Sequence, residues 1–234
     1  MASNVLSHVA IILDGNRRYA KKLGLQPWKG HAFGLRKLEE LFNWCMDLGV
    51  KELTLYCFST ENFKRAKKEV DYIFNLFWEE FSKMNKGQGI FKDKVKVNVI
   101  GRSYMFPKSM QKAMIEAMQK TKNNKKLIVN FALAYGGRQE ITDAVKEIAR
   151  KVKKGKIKVD GISEDLITSY LNLKSEPGLV IRPGGEVRTS NFLIWQSAYS
   201  EWVFVKDKLW PEFMKLDLEN CIKEFNRRER RFGK

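Results

Sequence analysis

Five short stretches hold the residues able to do chemistry. Asp14-Gly15-Asn16-Arg17-Arg18 sets a carboxylate beside two guanidinium groups, and Ser59-Thr60-Glu61-Asn62 gathers hydroxyl, carboxylate and amide groups. Gly101-Arg102, Tyr135-Gly136-Gly137-Arg138 and Arg182-Pro183-Gly184-Gly185-Glu186-Val187-Arg188 repeat a pairing of glycine with arginine. Glycines let backbone N–H groups close on an anion, and a helix N-terminus adds partial positive charge. Arginine supplies forked donors that match phosphate oxygens. The set points to phosphate, bound at more than one place. Each piece alone also has a plainer reading. Gly-Gly after a strand is commonly a tight turn, an Asp at a strand end is as often a helix cap as a metal ligand, and Arg182 and Arg188 could pair with Glu186 or Glu201.

Each stretch directly follows a short apolar run: VAIIL at 9–13, ELTLYCF at 52–58, VKVNVI at 95–100, LIVNFAL at 127–133 and LVI at 179–181, with WVFV at 202–205 as a sixth. Most are continuously apolar, as strands covered on both faces must be. Helical stripes lie between them, at Leu35, Leu38, Leu41, Phe42, Cys45 and Leu48, and from Ile141 through Val145 and Ile148 to Val152. Strands alternating with helices predict an α/β fold, one domain over 1–234, with a mainly parallel six-stranded sheet flanked by helices. Open sheets of this kind bind ligands at the carboxyl edge, where all five stretches would then meet.

The 234 residues suit one such domain, given about 150 residues for a typical one. Apolar residues at 44% and charged ones at 30% are ordinary for a folded globular chain. The 44 basic and 27 acidic side chains leave a formal charge of +17, which calls for an anionic partner. No run approaches the roughly 18 apolar residues of a spanning helix. The opening MASNVLSHVAIIL lacks the basic region and cleavage pattern of a signal peptide, so a cytoplasmic location is expected. Three unpaired cysteines and two histidines argue against structural zinc.

Read in order, the motifs resemble the cis-prenyltransferase family, most of all bacterial undecaprenyl diphosphate synthases. The resemblance rests on HVAIILDGNRRYAKK at 8–22, GH at 30–31, LTLYCFSTENFKR at 53–65, YGGR at 135–138, IRPGGEVRTSNFLIWQSAYSEWVF at 181–204, LWPEF at 209–213 and NRRERRFG at 226–233. It implies a homodimeric α/β enzyme that adds isopentenyl diphosphate repeatedly to farnesyl diphosphate, with Mg²⁺, to a C55 product that supplies a cell-wall lipid carrier. Asp14 then matches the aspartate acting on Mg²⁺ and diphosphate, and Gly15, Asn16, Arg17 and Arg18 match the loop that holds the allylic diphosphate. Tyr19 stands at an aromatic position beside the substrate, and His31 matches the histidine that contacts the second diphosphate or helps move a proton. Ser59, Thr60, Glu61, Asn62, Phe63 and Arg65 match the next substrate-binding block. Its Asn62 is the family's named proton acceptor, although an amide is a poor base. Arg182, Arg188, Thr189 and Ser190 match the isopentenyl diphosphate site, and Glu201 matches an acidic Mg²⁺ ligand near the dimer interface.

Two departures from the family pattern stand out. Arg17 occupies a position that is often glycine, and Gln26-Pro27-Trp28-Lys29 lacks the arginine usual before the GH pair, so Lys29 is the candidate replacement. A growing hydrocarbon also needs a tunnel between sheet and helices. The candidate walls are the helix carrying Val70, Ile73, Phe74, Phe77, Phe81 and Met84 and the next one, with Met110, Met114 and Met118.

The basic run from Lys146 to Lys158 and the cluster Arg227, Arg228, Arg230 and Arg231 read as solvated faces, or as attraction to anionic lipid at the inner face of a membrane. No nucleic-acid-binding motif accompanies them. The alternatives to the implied function are a cis-prenyltransferase of another product length and a non-catalytic basic subunit.

Overall fold

The computed structural model describes residues 6–88 and 94–228; Arg230 and Arg231 of the terminal cluster lie outside them. The six apolar runs become β1 (His8–Ile12), β2 (Glu52–Ser59), β3 (Val95–Ile100), β4 (Leu127–Tyr135), β5 (Leu179–Pro183) and β6 (Glu201–Val205). All their pairings are parallel, in the order β3-β4-β2-β1-β5-β6. Seven α-helices are present among the described residues: α1 (Asn16–Lys22), α2 (Gly30–Asp47), α3 (Lys67–Asn85), α4 (Lys108–Thr121), α5 (Gly137–Lys153), α6 (Glu164–Tyr170) and α7 (Lys215–Arg227). None is long and apolar enough to cross a membrane.

The continuous apolar character of the strands has a simple cause in the period of two. Val9 and Ile11 of β1 face one core with Leu53, Leu55 and Val129, closed by Leu38, Leu41 and Phe42 of α2, Ile73 and Phe81 of α3, Met110 and Met114 of α4 and Leu218 of α7. Ala10 and Ile12 face a second core with Tyr56, Ile100 and Ala132, covered by Leu173, Phe192 and Leu193. Both faces are buried, so neither register of the alternation can be polar.

The chain starts at β1, moves outward through β2, and returns to β1's other side only with β5. β1 is therefore flanked by strands wound in opposite directions, which opens a crevice at its carboxyl end. Two glycines let α2 press on that end. A Cβ at Gly30 would stand 1.9 Å from the Asn16 carbonyl oxygen, and one at Gly34 would stand 2.2 Å from Asn16 Oδ1. Trp210, fully buried, locks the contact by donating from Nε1 to the Gly34 carbonyl at 2.9 Å and from its backbone N–H to the Asp14 carbonyl at 2.9 Å. Gly30→Ala is expected to destabilise the fold by about 2 kcal/mol, because the backbone of α1 cannot yield as a side chain would. The denaturant midpoint checks this, and a midpoint equal to wild type would mean that α2 shifts freely.

Candidate active site

At the end of β1 the chain turns through Gly15, whose φ of 108° is costly for any residue with a Cβ, and α1 begins at once with Asn16. The Asp14 carboxylate is thereby held at the mouth of the crevice. Its Oδ2 accepts from Arg182 Nη2 at 2.8 Å and its Oδ1 from Arg18 Nη2 at 3.3 Å. Arg182, on β5, is only 4% exposed. Its other terminal nitrogen donates to Ser190 Oγ at 2.8 Å and to the Arg188 carbonyl. This buried guanidinium joins β1 to the loop after β5. Arg188 itself is mostly exposed and pairs with Glu186.

The loop at 190–193 carries positive φ at Ser190, Asn191 and Leu193, none of them glycine. Several bonds hold it there. Tyr56 Oη donates to the Ser190 carbonyl at 3.2 Å, Phe192 stacks on Tyr56 at 4.6 Å, and Asn191 Oδ1 accepts from the Arg138 N–H at 2.9 Å. The Tyr56 hydroxyl is pushed up in pKa, chiefly by burial, so it stays a donor. After β2, a 3-10 turn at Thr60–Lys64 is capped reciprocally: Ser59 accepts from the backbone of Asn62, and Asn62 Oδ1 accepts from the Ser59 N–H at 3.0 Å. Asn62 thus engages its carbonyl oxygen in the turn while lining the first of the clefts described next. Arg65, at the end of the turn, donates to Glu69 Oε1 at 2.9 Å, and His31 Nε2 lies 3.3 Å from the same oxygen. The imidazole pKa is lowered, first by burial and then by Arg65 and Arg17, with Glu69 opposing.

These residues enclose two confluent polar clefts. One, of about 580 Å³, is lined by Asp14, Asn16, His31, Ser59, Glu61, Asn62, Arg65, Arg182, Arg188 and Ser190. The other, of about 400 Å³, is lined by Asp14, Gly15, Asn16, Arg17, Arg18, Lys21, His31, Arg65 and Arg188. Leu13, Asn16 and His31 also line a narrow apolar cavity of about 60 Å³ that runs between the sheet and α2 and α3, past Ile73, Phe77, Phe81 and Met84.

Several of the expected site residues lie away from these clefts. Glu201 begins β6 in register with Leu179, which is itself in register with Val9 of β1. Five residues of β-rise therefore separate its level from Asp14, about 16 Å, so one chain cannot join the two carboxylates on one ion. Glu201 instead pairs with Arg228 at 2.7 Å. Tyr19 packs edge-on against Phe33, and Phe63 sits among Phe58, Phe74 and Phe106; neither lines a cleft. Thr60 and Thr189 also stay outside the clefts, the former with its hydroxyl buried and unpartnered among the described residues. Lys29 is exposed and lines neither cleft, whereas Arg17 and Lys21 of α1 line the second. Only three strand ends, those of β1, β2 and β5, build the clefts. Arg102 is engaged by Asp143 at 2.8 and 2.9 Å, and the Gly136-Gly137 turn packs against Asn191 and Ile194 as a support. Met110 and Met114 belong to the core, and Met118 caps the Val99 N–H at 3.3 Å, which leaves α3 and α2 as the cavity walls.

Lys21, Tyr56, Asn191 and Glu69 are site residues that the motifs did not single out. For Glu69 a signal existed: an acidic residue four positions after Arg65, the spacing at which opposite charges meet.

Comparison with known proteins agrees with this geometry. The family model described as "Putative undecaprenyl diphosphate synthase" matches residues 12–233. The chain is 52% identical to the Pyrococcus horikoshii tritrans,polycis-undecaprenyl-diphosphate synthase (geranylgeranyl-diphosphate specific), over 97% of this chain and 86% of that one. It is 50% identical to the protein of the same name from Thermococcus kodakarensis, over 100% and 89% respectively. Its fold superposes on the crystal structure of lavandulyl diphosphate synthase from Lavandula x intermedia in complex with dimethylallyl diphosphate with a TM-score of 0.92 and 33% identity, covering 98% of this chain and 99% of that one. A crevice that pairs two phosphate-sized clefts with an apolar cavity, in a chain this similar throughout its length, makes the protein a prenyltransferase belonging to the cis-prenyltransferase, or undecaprenyl diphosphate synthase, family.

Proposed function

We propose that the chain adds isopentenyl diphosphate repeatedly to geranylgeranyl diphosphate, with cis geometry, to make a polyprenyl diphosphate of the undecaprenyl class. The observation that carries this is the shared wall of Leu13, Asn16 and His31, which places the apolar cavity against both polar clefts. A starter with its diphosphate beside Arg17, Arg18 and Lys21 would lay its hydrocarbon along α3. Isopentenyl diphosphate, held by Arg182, Arg188 and Ser190, would then present its alkene to the starter's first carbon. The farnesyl starter implied by the bacterial resemblance gives way to the longer one, because the archaeal relatives with half of their residues identical are named for it. A cell-wall role rested on the same bacterial resemblance, and neither relative's name carries it.

In each cycle a carbon–carbon bond forms as the allylic carbon–oxygen bond breaks, diphosphate departs and one proton leaves the isopentenyl unit. The residues do three things. Arg17, Arg18 and Lys21 neutralise the departing diphosphate, the Arg182–Asp14 pair fixes the line between the two clefts, and His31 and Asn62 orient the incoming unit. With Asn62 Oδ1 already accepting from Ser59, a diphosphate oxygen is the better placed proton acceptor. No group of three metal-binding side chains occurs among the described residues. Mg²⁺ typically binds through one or two carboxylates together with substrate phosphates. Asp14, at the lip of both clefts, would hold it, and the ion supplies charge neutralisation to the leaving diphosphate. Glu201 could serve only from a second copy; the β6 edge, with Val187 and Ile194 exposed nearby, is where we place a homodimer contact. The exposed lysines of α5 support peripheral attraction to anionic lipid, where an apolar product must be delivered.

Incubation with labelled isopentenyl diphosphate, Mg²⁺ and either starter tests the reading. Geranylgeranyl diphosphate is expected to give a kcat/KM about tenfold or more above farnesyl diphosphate, and EDTA to abolish both. A farnesyl preference would overturn the starter, and no incorporation from any allylic starter would overturn the reaction. Asp14→Ala is expected to lower kcat by about 100-fold or more. A loss confined to KM would reduce Asp14 to a binding residue.

A further inference from the structure

Glu69, the third residue of α3, is 3% exposed and lines neither polar cleft, yet three groups that do line them converge on it. Arg65 donates from Nη1 to Oε1 at 2.9 Å, His31 Nε2 stands 3.3 Å from Oε1, and Arg17 Nε stands 3.6 Å from Oε2. The three come from separate elements: α1, α2 and the turn that precedes α3. Each meets Glu69 with only part of its donor set. A guanidinium is a rigid planar fork, so fixing one nitrogen fixes where the others point. Arg65, Arg17 and His31 all line one cleft, the one beside Asp14.

We propose that Glu69 is a positioning residue for the starter's diphosphate: it holds one edge of Arg65, Arg17 and His31 so that their remaining nitrogens face the anion. This rests on the reading that the cleft lined by Arg17, Arg18 and Lys21 takes the starter. A carboxylate is the group required. Without one, two guanidiniums brought this close would repel each other. The first turn of a helix is also where a negative charge is favoured. Glu69 is kept charged, its pKa lowered first by the hydrogen bond from His31 and then by Arg65 and Arg17. An arrangement serving only to tie α1, α2 and α3 together would not require all three partners to open onto the same cleft.

The chain has two histidines, which makes the test direct. His8 lies at the opposite end of β1, hydrogen-bonded to Thr54 at 2.8 Å, and serves as an internal reference for imidazole titration by NMR. Glu69→Gln keeps the shape and removes the charge. Glu69 acts to raise the His31 pKa, so the variant should titrate His31 at a lower pH and leave His8 unmoved. Binding of inorganic pyrophosphate, measured by calorimetry, should weaken about tenfold, and the KM for the starter should rise about as much, with a smaller change for isopentenyl diphosphate. A variant that melts earlier but keeps the His31 midpoint and the pyrophosphate affinity would overturn the proposal and leave Glu69 a structural tie. The unmodified protein gives a second reading that does not depend on the variant folding: pyrophosphate should raise the His31 midpoint and spare His8, and an unresponsive His31 overturns the proposal. If wild type binds pyrophosphate this way and yet elongates no starter, the functional reading fails while the assignment of Glu69 stands.

Discussion

A guanidinium buried between β1 and β5 must be paired before any substrate arrives. Arg182 is 4% exposed, and an isolated charge at that depth would cost several kcal/mol. Asp14 pairs with one of its terminal nitrogens, and Ser190 and the Arg188 carbonyl share the other, while Nε stays buried without a partner among the described residues. Much of the active site follows from this requirement. Asp14 has to be delivered at the end of β1, which the positive φ of Gly15 allows, and Ser190 has to be turned inward, which the strained run at 190–193 accomplishes. Tyr56, Asn191 and the Gly136-Gly137 turn then hold that run in place. The same pairing that stabilises the empty crevice aligns the groups that substrate phosphates will meet.

The balance of charge explains why so basic a site ties its cations to carboxylates, two of them above all. Asp14 holds Arg182 and Arg18, and Glu69 holds Arg65, His31 and Arg17. Arginines set around an anion-binding cleft with no internal counter-charge would splay toward solvent and lose their geometry. Two fixed acids keep the donors in place, and preorganised donors stabilise developing charge without having to reorganise during the reaction.

The sheet was legible in the sequence because its cause is local. A strand buried on both faces has to be apolar throughout, and all six apolar runs became strands. The meeting of residues at the ends of β1 and β5 was legible as well, since Asp14, Arg18, Arg182 and Ser190 come together there. What could not be read was the choice between identical signals. Gly101-Arg102 and Gly136-Gly137-Arg138 look like phosphate loops, yet Asp143 and Asn191, distant in sequence, claim them as supports. Glu69 was hidden for the converse reason: within KKEVD it reads as one more charged residue on a helix surface, and only the approach of α1 and α2 buries it. Which end of its strand Glu201 occupies was not legible, because a motif conveys residue type but not position along a strand. The starter was not legible, because the conspicuous motifs carry groups suited to diphosphate, which every starter shares.

On the proposed reading the growing hydrocarbon enters the apolar cavity, whose size is itself informative. At about 60 Å³ it is well below the several hundred Å³ typical of small-molecule pockets, so a hydrocarbon of twenty carbons enters only by displacing side chains. The two walls are not equally able to yield. α2 is fixed at the crevice, with Gly30 and Gly34 against Asn16 and Trp210 bonded to the Gly34 carbonyl. α3 is fixed at its first turn by Glu69 and at its end by Asn85, which donates to the Ala113 carbonyl of α4 at 3.1 Å. Between those points it presents Ile73, Phe77, Phe81 and Met84 to the cavity, held by packing alone, and packing between apolar groups is exchangeable for packing against an apolar ligand. The diphosphate end of the site is thus rigid and the hydrocarbon end adaptable, as one site must be if it repeats the same step on a substrate that lengthens each time.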